Sequence, residues 1–377
     1  MKFLFATGGT AGHINPALAV ASYIRDNYPE SEIKFVGTGD HMEARLVPNA
    51  GFDFETIEIN GFKRSFSPKA IIFNIKTLFR LLQSEKASKK IINSFSPDVV
   101  IGFGGYVSGP VLQEAARLKI PCCIHEQNAY PGITNKQLAK VADRVMLTVE
   151  DAKNHLECKN EPIVTGLPVR GEILNKNREE ARRELAIPEG AYLVLSFGGS
   201  LGAAPLNNAM HDILVANAES ESIYHIHSAG TNGIEFINTL EKEGFERKDE
   251  FTVVKGNCEV RQYINNMDTC LAAADLVIGR AGASSLSEIE ALGKASILIP
   301  SPYVAENHQY HNAMALVNRN AARIIEEKEL TSEKLNAMID ELLSNPETLF
   351  EIEKNAAEMA VKDSREKICG VIMSLAK

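Results

Sequence analysis

Short apolar runs recur along this chain at intervals filled by amphipathic stretches, and the series starts over near the middle. An apolar run followed by a helical period marks a strand buried on both faces of a parallel sheet with helices packed over it. The first series predicts strands over residues 2–7, 32–37, 98–103, 121–125 and 144–148, and helices over 16–27, 68–93, 108–118 and 133–141. The second predicts strands over residues 192–197, 223–227, 251–254, 275–279 and 295–299. Between them lies Glu161-Pro162-Ile163-Val164-Thr165-Gly166-Leu167-Pro168-Val169-Arg170, whose prolines and glycine exclude a helix, and the hinge is placed there. A chain of 377 residues is long enough for two cores. The expected fold class is α/β, two Rossmann-like domains facing across a cleft.

Charge narrows the function. The net charge of −9 argues against nucleic acid as a partner. Residues 1–169 hold 19 Lys+Arg against 17 Asp+Glu, a balance of +2; the remaining 208 hold 21 against 32, a balance of −11. Residues 60–92 alone carry eight basic residues and one acid. The six cysteines form no CxxC pair and no zinc-type cluster, so unpaired thiols in a reducing cytosol and no metal are expected. There is no apolar run of about eighteen residues and no signal-peptide pattern, which predicts a protein that neither spans a membrane nor is exported.

Three glycine-rich turns follow predicted strands: Gly8-Gly9-Thr10-Ala11-Gly12-His13, Gly104-Gly105-Tyr106-Val107-Ser108-Gly109-Pro110 and Gly198-Gly199-Ser200-Leu201-Gly202-Ala203. Each precedes a helix, where backbone N–H groups and the positive end of the helix dipole can meet a diphosphate or a sugar oxygen. None fits the dinucleotide fingerprint, because Thr10 and Ser200 stand at its second glycine, and none carries the phosphate-loop lysine. No Asp-x-Asp occurs to anchor a metal-bound nucleotide sugar. Charge on a leaving diphosphate then falls to helix N-termini, hydroxyls and a cation. Further on, Gly279-Arg280-Ala281-Gly282-Ala283-Ser284-Ser285-Leu286-Ser287-Glu288 puts a carboxylate one turn into a helix, where it could accept both hydroxyls of a ribose or simply be solvated. Residues 300–312 crowd Glu306-Asn307-His308-Gln309 at another strand end, a site or a plain surface loop.

With these residues in hand, the chain resembles the MurG family of UDP-N-acetylglucosamine transferases over nearly its whole length. The specific pieces are residues 8–13 with Ile14-Asn15-Pro16, residues 104–110, His125-Glu126-Gln127-Asn128, Gly166-Leu167-Pro168-Val169-Arg170, residues 198–203, residues 283–288 and His308-Gln309-Tyr310-His311-Asn312. The resemblance implies a GT-B fold with an N-terminal acceptor and membrane-facing domain over 1–165 and a UDP-GlcNAc-binding domain over 166–354. A last helix, about 355–377, would return to the first domain. It implies an inverting transfer of GlcNAc, without metal or other cofactor, to the C4 hydroxyl of undecaprenyl-pyrophosphoryl-MurNAc-pentapeptide for peptidoglycan synthesis. Partners would be that lipid-linked acceptor, an anionic membrane surface on the cytoplasmic side of the cell membrane, and cell-wall machinery. Carried over by position, Thr10, Ala11, Gly12 and Asn128 touch the donor sugar, and Arg170 and Ser200 the diphosphate. Ile264 takes the uracil, Ala283, Ser284, Ser285, Leu286, Ser287 and Glu288 the nucleoside, and Gln309 the GlcNAc. Two positions depart from the common pattern. Ala11 replaces a glycine, which would matter if the turn needed positive φ there, and His308 replaces a glutamine.

An inverting transfer needs a base for the attacking hydroxyl. The candidates are His13, His125, Glu126 and Glu288. His13 is favoured, because it closes a glycine loop at a helix start and a free imidazole titrates near about 6.5; Glu126 is the fallback. For the membrane, Ser67-Pro68 opens a helix whose Ile71, Ile72, Ile75, Leu78, Phe79 and Leu82 are assigned to the core, leaving Lys69, Phe73, Lys76 and Arg80 outward as a lipid-facing set. The competing readings are a same-fold transferase with another lipid or small-molecule acceptor, a UDP-GlcNAc epimerase, and a nucleotide-sugar sensor without turnover.

Overall fold

A computed structural model describes residues 1–61 and 67–376, with the side chains of residues 68–76 and 78 outside the description. Contacts divide the chain into two units, Met1–Pro168 with Asp363–Lys377, and Val169–Lys362. The sequence reading placed the junction at 165/166.

In the first unit, β1 (Lys2–Ala6), β2 (Glu32–Gly37), β3 (Asp53–Thr56), β4 (Val99–Gly102), β5 (Cys122–Glu126), β6 (Arg144–Leu147) and β7 (Ile163–Val164) form a parallel sheet of order β3-β2-β1-β4-β5-β6-β7. The central strands are apolar throughout, as strands covered on both faces must be: Phe3, Leu4, Phe5, Val99, Val100 and Ile101 are fully buried. The strand order reverses between β1 and β4, so the turns after these neighbouring strands diverge to opposite faces and leave a crevice at their carboxyl ends. Two of the three glycine turns lie there.

The second unit repeats the plan. Strands β8 (Tyr192–Phe197), β9 (Ile223–Ser228), β10 (Glu246–Asp249), β11 (Thr252–Lys255), β12 (Cys258–Arg261), β13 (Leu276–Gly279), β14 (Ala295–Leu298) and β15 (Arg323–Ile324) take the order β10-β11-β12-β9-β8-β13-β14-β15. Its reversal falls between β8 and β13, the strands that feed the third glycine turn and the Ala283–Glu288 segment. One edge departs from the all-parallel expectation, since β10, β11 and β12 form an antiparallel meander.

Three local expectations need correction. Helix Ala11–Asn27 begins a turn before residue 16 and holds Pro16 inside it, at the cost of one backbone bond. The expected terminal helix is two, Pro346–Met359 and Ser364–Leu375, and only residues from Asp363 belong to the first unit, where Ile368, Cys369 and Ile372 join Ile14, Ala17 and Val20 in one core. Helix Pro68–Phe95 turns the other way round. Thr77, Ser84 and Ser88 are buried, with Ile91, Ile92 and Phe95, whereas Phe79 is 64% exposed and Leu82 52%. Small hydroxyl residues let the helix sit close to its neighbour and satisfy themselves on its own carbonyls, Ser84 Oγ on Leu81 O and Ser88 Oγ on Ser84 O. Arg80 is exposed; the side chains of Ile71, Ile72, Ile75, Leu78, Lys69, Phe73 and Lys76 lie outside the described residues.

In the second unit, helix Met267–Ala273 ends against three cations. Lys294 Nζ donates to Ala272 O at 2.7 Å and Ala274 O at 2.8 Å, Arg178 reaches Ala274 O and Arg182 reaches Ala273 O, with Asp275 as counter-ion to both arginines. These groups match the negative end of the dipole. Burial, and then the neighbouring Arg178, push the Lys294 pKa down to about 8. The unfolded chain therefore binds the extra proton between about 8 and the ordinary lysine value of 10.5, so the Lys294 contribution to stability rises with pH through that window. The buried thiols Cys122, Cys258, Cys270 and Cys369, whose pKa values burial raises, pull the other way at the alkaline end in both proteins. The urea midpoint of the wild type should therefore rise relative to that of Lys294→Met from pH 7.5 to 10.

Candidate functional site

The first glycine turn runs from β1 to helix Ala11–Asn27. Its left-handed residue is Gly9, at φ +89°, while Ala11 is the first helical residue, so alanine there costs nothing. Thr10 is the extended N-cap and Gly12 is exposed. Behind the turn sits a residue the sequence reading missed. Glu43 is fully buried, and its carboxyl oxygens accept from Gly9 N at 3.1 Å, Thr38 N at 3.1 Å and Thr38 Oγ1 at 2.7 Å. It begins helix Glu43–Asn49 and ties this turn to the end of β2. A lone buried acid has no periodic signal, so nothing in the sequence pattern singles it out.

In the second turn Gly104 N donates to Ser108 Oγ, which in turn reaches Ala6 O at 3.0 Å. Several N–H groups expected to face a ligand are thus consumed inside the loops. After β5, Glu126 is 1% exposed and its carboxylate accepts from Asn128 N, Asn128 Nδ2, Gly132 N and Asn135 Nδ2, at 2.8–3.3 Å. A carboxylate so occupied orients Asn128 and has no oxygen ready for an incoming proton, which removes the reason for keeping it as a base. His13 differs: it is half-buried and its Nδ1 lies 2.8 Å from Gln127 Oε1.

In the second unit, Ser200 is exposed at the tip of the third turn, ahead of helix Ala204–Asn217. This turn is clasped by residues 229–233: Thr231 N donates to Ser200 O at 3.0 Å and Asn232 N to Leu201 O at 3.2 Å. Beneath it His227 Nδ1 meets Ser196 Oγ at 2.8 Å and its Nε2 meets Asn207 Oδ1 at 3.2 Å. Helix Ala283–Leu292 starts after Gly282; Ala283, Ser284 and Ser285 are half-buried in its first turn, whereas Leu286 and Ser287 point into the protein. Arg170 Nε donates to Glu288 Oε1 at 3.0 Å, so two residues assigned separately from the sequence form one pair. Burial raises the Glu288 pKa, and Arg170 opposes the rise. Ile264 is buried, but Tyr263 beside it is 48% exposed, an aromatic face the sequence reading passed over. Gln309 Oε1 accepts from Ser301 N at 2.9 Å in the first turn of helix His308–Val317. Glu306 and Asn307 just before it both hold positive φ, 54° and 50°, conformations that cost side-chain-bearing residues energy and concentrate at functional loops.

Acidic side chains, Glu43 and Glu126, stand behind the loops of the first unit. The second unit offers the N-termini of helices Ala204–Asn217 and Ala283–Leu292 and the Arg170 guanidinium. Among the described residues no group of three His, Cys, Asp or Glu side chains could hold a metal ion, and no helix is long and apolar enough to cross a membrane.

Two Rossmann-like domains with glycine turns at their strand ends form the frame of a nucleotide-sugar enzyme, and the family comparisons make it a glycosyltransferase. Residues 3–147 match the glycosyltransferase family 28 N-terminal domain and residues 193–368 its C-terminal domain. The chain is 42% identical, over all of its length and 99% of the relative's, to the UDP-N-acetylglucosamine--N-acetylmuramyl-(pentapeptide) pyrophosphoryl-undecaprenol N-acetylglucosamine transferase of Acetivibrio thermocellus. It is 41% identical to the protein of the same name from Clostridioides difficile, over all of this chain and 89% of that one. A crystal structure of Acinetobacter baumannii MurG superposes with a TM-score of 0.78 at 29% identity, covering 99% of both chains. A UDP-GlcNAc 2-epimerase from Neisseria meningitidis, at 13% identity and a TM-score of 0.66 over 99% of this chain and 100% of that one, shares the fold. The chain belongs to the MurG family of GT-B glycosyltransferases.

The clasp over the third turn depends on two glycines. A Cβ on Gly202 would lie 2.1 Å from Ala229 O, and one on Gly230 would lie 2.0 Å from Gly202 N. Gly199 has the same left-handed φ, +88°, but open space around it. Gly199→Ala should therefore cost only the left-handed strain, roughly 1–2 kcal/mol. Gly202→Ala should add overpacking of roughly 1–3 kcal/mol. Urea unfolding of the two variants measures the difference, and equal midpoints would show that the loops are not held against each other.

Proposed function

We propose that this chain transfers GlcNAc, with inversion, from UDP-GlcNAc to the C4 hydroxyl of undecaprenyl-pyrophosphoryl-MurNAc-pentapeptide, the lipid-linked acceptor of peptidoglycan synthesis. What carries the reading is the full-length likeness to transferases named for this reaction. The second domain holds the donor: Glu288 accepts the ribose hydroxyls, Arg170 and Ser200 meet the diphosphate, and the first turn of helix Ala283–Leu292 seats the nucleoside. Ile264 lies against the uracil, with the Tyr263 ring available to stack on it, and Gln309 reads the sugar. As the glycosidic bond breaks, the charge growing on UDP is met by the helix N-termini and the Arg170 guanidinium. The first domain serves the acceptor. His13 takes the proton of the C4 hydroxyl as it attacks the anomeric carbon, while Thr10, Ala11, Gly12 and Asn128 touch the donor sugar.

Radiolabelled UDP-GlcNAc incubated with a muramoyl-pyrophosphoryl-polyprenol should move its label into the lipid extract and release UDP only when that acceptor is present. Donor isomerisation without acceptor would instead indicate an epimerase. In the same assay His13→Ala should lose about a hundredfold to ten-thousandfold in kcat with UDP-GlcNAc binding unchanged. Glu126→Gln, which disturbs the seats of Asn128, Gly132 and Asn135, should lose less. If His13→Ala keeps most of its kcat, the base lies elsewhere.

The acceptor's lipid puts the enzyme at a membrane surface, and we propose that helix Pro68–Phe95 makes the contact. The corrected orientation changes the argument. Exposed Phe79 and Leu82 supply the apolar insert, with exposed Arg80, Lys86, Lys89 and Lys90 near the headgroups, each nearby charge adding about 1 kcal/mol on an anionic bilayer. Lys69 and Lys76 extend the basic run. Lys69→Glu plus Lys76→Glu should release the protein from anionic vesicles at low salt, and Phe79→Ser plus Leu82→Ser should also weaken the salt-resistant part of binding. Co-sedimentation equal to wild type in both variants would rule out this face.

A further inference from the structure

The hydrogen bonds around His13 have only one consistent set of directions. At the far end, Gly166 O can only accept, so His125 Nε2, 2.8 Å away, carries the hydrogen. Burial, against the bond to Gly166, drives the His125 pKa down to about 4, so the ring is neutral near pH 7. A neutral imidazole has one N–H, which makes His125 Nδ1 an acceptor. Next along, the Gln127 amide nitrogen lies 2.9 Å from His125 O and 3.1 Å from His125 Nδ1. Both atoms accept, so the nitrogen must face them, and the amide oxygen is committed to the other side. There it meets His13 Nδ1 at 2.8 Å, and that nitrogen must be the donor.

We infer that Gln127, oriented by His125, is a positioning residue that fixes the tautomer of His13, keeping its hydrogen on Nδ1 and Nε2 bare. This rests on the reading of His13 as the base. A histidine side chain left to itself in water favours the opposite tautomer, with the hydrogen on Nε2 and no lone pair there for an incoming proton. The relay reverses that preference before substrate arrives. Its surroundings leave the rings little freedom. Phe103 stacks on His125 with centroids 5.3 Å apart and planes 16° from parallel. Gly104 passes so near His13 that a Cβ there would meet Nδ1 at 2.8 Å. Gln127 is 3% exposed and His125 fully buried, so water does not compete for these bonds. Choosing an amide over a carboxylate also matters. A neutral acceptor orients the ring without strongly stabilising the imidazolium, and the captured proton can pass on to water.

Nitrogen NMR of histidine-labelled enzyme, with the His13 signals assigned by their loss in His13→Ala, reads the tautomer directly. At pH 8 the wild type should show the hydrogen on His13 Nδ1. Gln127→Met should shift it toward Nε2 and lower kcat by about tenfold to a hundredfold, the usual effect of losing an orienting partner, with KM for UDP-GlcNAc unchanged. Gln127→Glu keeps an acceptor in place. Its second oxygen, however, faces His125 O and Nδ1, both acceptors, so it should restore the Nδ1–H form and kcat only in part, while raising the acidic limb of the kcat profile through its added charge. A wild-type His13 with its hydrogen on Nε2, which needs no variant to detect, would overturn the relay. So would a Gln127→Met enzyme with wild-type tautomer and kcat. Undiminished kcat in His13→Ala is a different failure, one that removes the base and leaves the tautomer result standing.

Discussion

Backbone lies against backbone under the loops at the strand ends, and everything the loops carry depends on that contact. A Cβ on Gly105 would lie 2.4 Å from Gly8 O, so the first two glycine turns touch with no side chain between them. Gly202 and Gly230 do the same in the second unit. Turns that meet this closely have few alternative shapes, and polar side chains can then be aimed from them without each needing its own support. The strand order puts the first of these contacts at the point where the helices diverge, where a crevice exists for topological reasons, and the second beside such a point, after β8 and β9.

Two related scaffolds brace their loops with different groups. In the first unit the loops are held from behind by acidic side chains, Glu43 under Gly9 and Glu126 under Asn128, which spend loop N–H groups on internal bonds. In the second, the third turn is braced by neutral groups, His227 with Ser196 and Asn207, whereas the loop after β13 is braced by Arg280, which donates to Ile299 O and pairs with Glu327. Fold alone does not make that distinction; the residues behind the loops do.

Much of this was legible in the sequence because it is periodic. Alternating strands and helices, the restart near residue 192 and the glycine turns all repeat, and repetition survives reading without coordinates. Errors came where two patterns competed. Ile71, Ile72, Ile75, Leu78, Phe79 and Leu82 make the more apolar stripe of their helix, but the buried stripe downstream is the one carrying Thr77, Ser84 and Ser88, chosen for closeness of approach. The antiparallel edge was missed because strand direction leaves no mark in composition. Glu43 and Gln127 were passed over for another reason. Each is a single polar residue whose meaning lies in atoms far away in sequence, and only the folded chain brings those atoms within bonding distance.

The return of the C-terminus has a consequence for how the protein is made. Ile368, Cys369 and Ile372 complete the core around Ile14, Ala17 and Phe103, yet they lie beyond the second unit in the sequence. Every residue of the second unit is synthesised before them. Domains usually finish in the order they are translated; here the first begun is the last completed. Until helix Ser364–Leu375 emerges, the nascent first unit presents an uncovered apolar face, and a stop codon placed anywhere in the second unit harms the first.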